Sequence, residues 1–395
     1  MLKHIRNVLA AVALPAMAIA PVAAQEPIKI GFMATFSGPI GALGQDQYDG
    51  FMLAVDERGG KLGGVPVKII KEDDQFKPDI GAQIVTKLIE REKVPIITGI
   101  TASNVVMAVA KTITDKKVFL LSTNSGPSPL AGANCSPYQY VVSFQGEDIA
   151  EVVGKYATDK QFKRVVLMAP NYQGGKDLLA GFKRAYKGLI LDEIYTPLSQ
   201  LDFSTELTQV AAAKADAVFA FYPGAMGINF VRQYQQAGLL KTLPLLSTGI
   251  IDGTSLPALK TAALGALLGM EWGPDLDNAA NKKFVEQFER KFKRIPSNLA
   301  AQGYDGALLL DSAIAKVKGN MADKAAFAAA LKAADFKSVR GKFKFNNNNF
   351  PIQDLHIFEA ANDAKGRVSM RKVATPLVDH QDAYHTQCVM RQVEP

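Results

Sequence analysis

The 395-residue chain carries two cysteines, one tryptophan and four histidines. Two cysteines exclude a disulfide-scaffolded miniprotein and a four-cysteine zinc site. The histidines are scattered: His4 near the start, His356 alone in an expected strand, His380 and His385 in the C-terminal tail. No GxSxG elbow is present. The glycines Gly38, Gly41 and Gly44 fit neither dinucleotide nor Walker spacing, and Gly174-Gly175-Lys176 lacks the remaining Walker positions. Lysines and arginines are interspersed with acids, which argues against a nucleic-acid surface. These absences leave enzyme chemistry poorly supplied, and no metal or cofactor is expected.

The hydrophobic fraction of 48% is that of a globular chain, and the length suggests two or three domains. Residues 1–24 read as a secretory signal peptide: Lys3 and Arg6 without an acid, an apolar run from Val8 to Leu14, and Val22-Ala23-Ala24 before the cut. Losing Lys3 and Arg6 lowers the formal net charge from +7 to +5. No later stretch reaches the ~18 consecutive apolar residues of a membrane span. The mature chain is therefore expected in the periplasm. Export permits a disulfide between Cys135 and Cys388; two separate buried thiols are the other arrangement.

Strands alternate with helices along the chain. Ile28 to Ala34 reads as a strand, and Tyr48, Phe51, Met52 and Val55 mark one face of the next helix. The pattern continues to Val118–Leu121, with Ser103 placed to cap a helix. It restarts at Glu147 and runs to a strand at Pro244–Ser247. Helices follow at Ala279–Phe292, Ala300–Lys316 and Asp323–Ala334, then a β-rich end. Such order predicts an α/β fold of two doubly wound parallel-sheet lobes. Ser-, Thr-, Asn- and Gly-rich loops follow the strands, at 35–38, 101–104, 122–126, 171–172 and 222–224. Ligands of open parallel sheets bind at the carboxyl ends of strands, and helix N-termini there suit a carboxylate. Asp73-Asp74 offers a cation site, or carboxylates that bond backbone amides.

Several motifs carry a family resemblance: Ser37-Gly-Pro39, Gly59-Gly60 with Gly63-Gly64, Asp73-Asp74 with Pro78, Ala169-Pro-Asn-Tyr172, and Gly303-Tyr304-Asp305-Gly306. The chain resembles the type I periplasmic solute-binding proteins of branched-chain amino-acid-type ABC importers, related to the leucine/isoleucine/valine-binding protein. The resemblance implies an N-terminal lobe of residues 25–143 and 274–345. It implies a C-terminal lobe of 144–273 and 346–375, and the disulfide would tie a tail of 376–395 to the first lobe. Three hinge crossovers are expected near 142–145, 272–274 and 343–350. The implied partners are a small carboxylate ligand and a membrane permease, with no nucleic acid, and the protein is expected to be a monomer.

Carried over by position, Ser103 would bond the ligand carboxylate. Asn124, Ser125 and Gly126 would add donors, and Tyr172 and Tyr222 would cover the ligand. Gly249 stands where amino-acid binders of the family have an acid for the ligand ammonium. An unpaired buried ammonium is costly, so the ligand is expected to lack an α-amino group unless Asp252 substitutes. Phe36, Phe144, Phe221 and Trp272 add aromatic surface to the expected cleft, or serve as core. The favoured ligand is an aromatic acid such as a benzoate, phenylacetate or hydroxycinnamate. The alternatives are a branched-chain or other aliphatic amino acid, and, in another class, a ligand-sensing ectodomain.

Overall fold

The structure, a computed structural model, describes residues 26–393. The expected leader, residues 1–24, lies outside them. The first sheet is built from β1 (Ile28–Ala34), β2 (Lys61–Leu62), β3 (Val65–Asp73), β4 (Ile96–Gly99), β5 (Phe119–Ser122) and β6 (Gln139–Val141). Its order is β2-β3-β1-β4-β5-β6, all parallel except the β2–β3 hairpin. Helices α1 (Gly41–Glu57), α2 (Pro78–Thr86), α3 (Ser103–Asp115) and α4 (Ser128–Ala131) connect its strands. Every residue of β4 and β5 is buried, as expected of parallel strands covered on both faces.

After β6 the chain enters α5 (Asp148–Asp159) and a second sheet. This sheet contains β7 (Arg164–Pro170), β8 (Leu189–Thr196), β9 (Ala217–Ala220), β10 (Leu245–Ser247) and β11 (Leu267–Met270). Helices α6 (Gln173–Ala185), α7 (Ser204–Ala212), α8 (Ala225–Gln236) and the short α9 (Leu256–Leu259) link them. The chain then forms α10 (Ala279–Phe292), α11 (Asn298–Lys316) and α12 (Lys324–Ala333). It returns as β12 (Lys344–Phe345), β13 (Pro351–Asn362) and β14 (Val368–His380), all antiparallel additions. The second sheet runs β12-β13-β11-β10-β9-β7-β8, with β14 on β13. Side-chain caps start α10, α11 and α12, from Asn278, Ser297 and Asp323. Four strands escaped the sequence pattern: the two-residue β2 and β12, β6, and β11, whose short apolar run Gly269 interrupts. β14 is also far longer than the expected 367–373.

Each lobe is braced by a helix pair that crosses backbone to backbone. A Cβ on Gly50 would meet the Ala300 carbonyl at 1.9 Å and one on Gly303 the Gln47 carbonyl at 2.1 Å, so α1 and α11 approach only through glycine. Gly154 and Gly181 do the same for α5 and α6.

The chain passes between the sheets three times, after β6, after β11 and after α12. One buried guanidinium joins these passages. Arg340, in the third, pairs through Nε with Asp305 Oδ2 of α11 at 3.1 Å. Its Nη1 donates to the Ser143 carbonyl of the first passage at 2.8 Å and to Gln353 Oε1 at 2.8 Å. Glu271, opening the second passage, accepts from Gln302 Nε2 at 2.6 Å and feels the Arg340 charge. Burial pushes both Asp305 and Glu271 above the usual carboxylate range, and Arg340 opposes that shift. Removing one partner of such a buried pair typically costs about 3–5 kcal/mol. Arg340→Ala should therefore lower the urea midpoint by a corresponding amount, against little change for an exposed arginine such as Arg371→Ala.

The Cys135–Cys388 disulfide is formed, with Cα atoms 5.8 Å apart. It ties the tail after β14 to the loop before β6, and no described cysteine is free. In the chain-entropy picture so long a loop is worth up to roughly 5 kcal/mol. Reduction, or Cys135→Ser with Cys388→Ser, should lower the melting temperature in calorimetry, and the oxidised protein should not react with a thiol reagent.

Candidate functional site

The strand orders locate the crevice. In the first sheet the connections diverge between β1 and β4, and in the second between β7 and β9. At such switch points the loops leave in opposite directions and open a cleft beyond the strand ends. The loops concerned are those after β1 (Thr35 onward), β4 (100–102), β7 (171–172) and β9 (221–224).

On the first lobe these loops are held by a buried hydrogen-bond network. Thr35 Oγ1 donates to Asp74 Oδ1 at 2.5 Å, and Phe36 N donates to Asp73 Oδ1 at 2.8 Å. The two aspartates also accept from Gln75 N and Phe76 N. Asp73-Asp74 is thus occupied with backbone amides and a hydroxyl, the second of its two sequence readings. Thr101 Oγ1 donates to Gln47 Oε1, and Gln47 Nε2 donates to Thr123 Oγ1, which links the loops after β4 and β5 to α1.

Ser103 is the first residue of α3 and does not cap it; Ala102 holds the cap position. One residue further in, its hydroxyl turns to the loop after β5 and accepts from Ser125 Oγ at 3.0 Å. A hydroxyl that accepts keeps its own proton to donate. That proton and the free amides of the first turn of α3 suit an anionic oxygen. Ser125 is otherwise committed: its N–H donates to Ile100 and its carbonyl accepts from Ser122. Asn124 Nδ2 donates to the Thr101 carbonyl at 2.7 Å, so its amide braces the two loops. Gly126 gives room, since a Cβ there would lie 2.1 Å from the Phe144 carbonyl.

Across the cleft, Tyr172 precedes α6 and meets the ring of Phe76 edge-on at 6.3 Å. Burial raises its hydroxyl well above the usual tyrosine range, so it remains a neutral donor. The lobes also touch at Ser128, whose N and Oγ donate to Asp177 of α6 at 3.0 and 2.8 Å. Gly224, at φ +58°, lies so near Pro39 that a Cβ would sit 2.3 Å from its carbonyl. The structure is therefore a closed one.

Residues 27–366 match the family model described as periplasmic binding protein. The chain belongs to that family. It is 27% identical over 379 residues to a Leu/Ile/Val-binding protein homolog 6 of Brucella melitensis, covering 92% of this chain and 96% of that one. A solute-binding protein of an ABC transporter from R. palustris, solved in complex with benzoate, superposes with a TM-score of 0.87 at 29% identity. That match covers 92% of this chain and all of the other. A second, from Rhodopseudomonas palustris BisB5 in complex with 3,4-dihydroxy benzoic acid, gives 0.83 at 27% identity and covers 90% and 99%.

Tyr222 and Trp272, both expected at the binding-protein cleft, are buried among other side chains. Tyr222 is fully buried between Phe203 and Phe230, at 4.6 and 5.0 Å, with its hydroxyl 3.4 Å from Thr196. Trp272 is 1% exposed, donates from Nε1 to Asn281 Oδ1 at 2.7 Å and meets Phe284 edge-on. Asn281 supplies the one acceptor an indole needs, so the ring is satisfied without a ligand. Phe36 is half-buried, with Tyr48 edge-on at 5.8 Å and the Lys71 ammonium 4.0 Å from its ring centre. Gly249 adopts φ +60°, and a Cβ there would point within 3.6 Å of the Phe221 ring. The position therefore adjoins an aromatic wall and holds no charge. Asp252 is held in its own turn: its Oδ1 accepts from Thr254 N, Thr254 Oγ1 and Ser255 N, while its Oδ2 is buried without a hydrogen-bond partner.

The ligand-binding residues expected from sequence left out Phe76, Asn104, Gln145 and the Ser128–Asp177 clasp, though loop 101–104 and passage 142–145 were expected. Asn104 Oδ1 and Gln145 Nε2 are buried without a hydrogen-bond partner, beside Ser103 and on the first passage respectively. Their neighbours in sequence were the available signal. His356, by contrast, is structural: its Nδ1 lies 2.9 Å from Thr375 Oγ1, and burial pushes its pKa down to about 4.

A hydrogen bond to a charged group contributes about 1.5–3 kcal/mol. Ser103→Ala should weaken carboxylate binding roughly tenfold to a hundredfold in titration calorimetry, with the far-UV spectrum unchanged. Tyr172→Ala should weaken it similarly; unchanged affinity in both variants would place the site elsewhere.

Proposed function

We propose that this protein is the extracytoplasmic receptor of an ABC importer that captures an aromatic carboxylate between its lobes and hands it to a membrane permease. Gly249 carries the reading. An ammonium enclosed at the end of β10 would face the Phe221 edge with no carboxylate, and burying an unpaired charge costs several kcal/mol, roughly. A ring needs no such partner. At the other end the Ser103 hydroxyl and the start of α3 meet the carboxylate. The two R. palustris relatives solved with benzoate and a dihydroxybenzoate support the same ligand class.

The protein does no chemistry on its ligand, acts as a monomer, and reaches the periplasm through a leader cut after Ala24. Among the described residues no helix is long and apolar enough to cross a membrane. The second reading, an aliphatic amino acid, is favoured by the Brucella relative's name. It requires Asp252, held within its own turn through Oδ1, to turn its unpartnered Oδ2 toward the ligand.

A thermal-shift panel of benzoate, hydroxybenzoates, phenylacetate, hydroxycinnamates and leucine separates the two. A ligand at about 100 times its Kd adds about 2.7 kcal/mol of stability. At least one aromatic acid should raise the melting temperature by that measure and leucine should not; a shift with leucine alone would overturn the proposal.

A further inference from the structure

Away from the cleft, three side chains converge where the tail meets α5. Asp148 and Glu151 lie one turn apart on α5, on one face of the helix. His380 ends β14. Its Nε2 lies 3.3 Å from Asp148 Oδ1 and 3.7 Å from Glu151 Oε2. One ligand atom from each residue can be chosen so that all lie within 4.8 Å of one another.

The pairing is unfinished. Asp148 is 1% exposed, yet its Oδ1 is buried without a hydrogen-bond partner, and so is the Nε2 that faces it. The acceptor and the ring nitrogen meet as an ion pair without hydrogen-bond geometry, an arrangement that a cation bound by both would also satisfy. The surroundings are acidic: Asp382 adds its charge beside Asp148, and Arg184, paired with Glu147 and Glu151, is the guanidinium nearby.

We propose that Asp148, Glu151 and His380 form a binding site for a zinc-class divalent cation. One imidazole and two carboxylates suit zinc or a similar transition ion, whereas calcium and magnesium prefer oxygen ligands alone. Bonds of about 2.0–2.2 Å in a tetrahedron place neighbouring ligand atoms some 3.3–3.6 Å apart, close to both histidine distances. Glu151 is also bonded to Arg184 at 3.1 Å and must turn from it. Arg184 keeps Glu147, which in turn accepts from Tyr384 Oη at 2.6 Å. Three protein ligands leave the fourth position to water. The ion would fasten the end of β14 to the start of α5, next to the first passage between the lobes.

The test uses the exported, untagged full chain, stripped with chelator and titrated with zinc chloride. One equivalent should bind and raise the melting temperature. His380→Ala and Asp148→Asn should each weaken binding by about tenfold or more, while His385→Ala leaves it intact. Cobalt in place of zinc gives a readout independent of stability: the visible band of a tetrahedral site should appear in the wild type and be absent from Asp148→Asn. Absence of binding at micromolar zinc, or binding and cobalt absorption retained in both variants, would leave only an ion pair and overturn the proposal.

Discussion

The molecule depends on the Arg340 guanidinium more than on any other single group. Three chain passages connect the lobes, and each lobe would otherwise be an independent sheet with its own helices. Arg340 grips the carbonyl of Ser143 in one passage, the carboxylate of Asp305 at the lobe behind it, and Gln353 on β13. Glu271 brings the remaining passage into the same field. Burying these charges together is costly, and the cost is offset only while all the partners are in register. The cluster therefore specifies where the passages run, more than it adds net stability. Ser338 and Val339 complete the seating of Asp305, whose oxygens accept from both.

The cleft reflects a division of labour between scaffold and contact. On the first lobe, Asn124, Ser125, Asp73 and Asp74 spend their hydrogen bonds on one another's loops. Ser103 keeps a proton to give. On the second lobe, Tyr222 stiffens the core behind β9, and Tyr172 reaches the opposite lobe. A rigid, pre-satisfied rim loses little freedom when a ligand arrives, which leaves more of the contact energy for affinity.

The repeated strand–helix order was plain in the sequence because the parallel strands are continuous apolar runs and the helices show a clear apolar face. Most helix bounds fell within a few residues, and Ala279–Phe292 coincided with the helix found. β11 was lost because Gly269 breaks its short apolar run. β14 was foreshortened because Pro376 lies in its second half, and a proline within a run argues against a strand unless it is an edge strand, as β14 is. In the site, polar loops and the bare Gly249 were legible as residue types. Trp272 and Tyr222 were not, because what decides their place is distant in sequence: Asn281 for one, Phe203 and Phe230 for the other. Phe76 escaped notice because its left-handed backbone, φ +63°, turns the ring toward Tyr172, and nothing local announces that conformation.

The bond between Cys135 and Cys388 encloses a separation of 253 residues, and all three passages lie inside it. The second lobe, the hinge and α10–α12 are in effect one covalent ring, from which β1–β5 and α1–α4 of the first lobe branch. A single protease cut anywhere in that ring, even through a hinge strand, leaves both pieces joined. A nick in the chain there then need not mean the loss of a lobe.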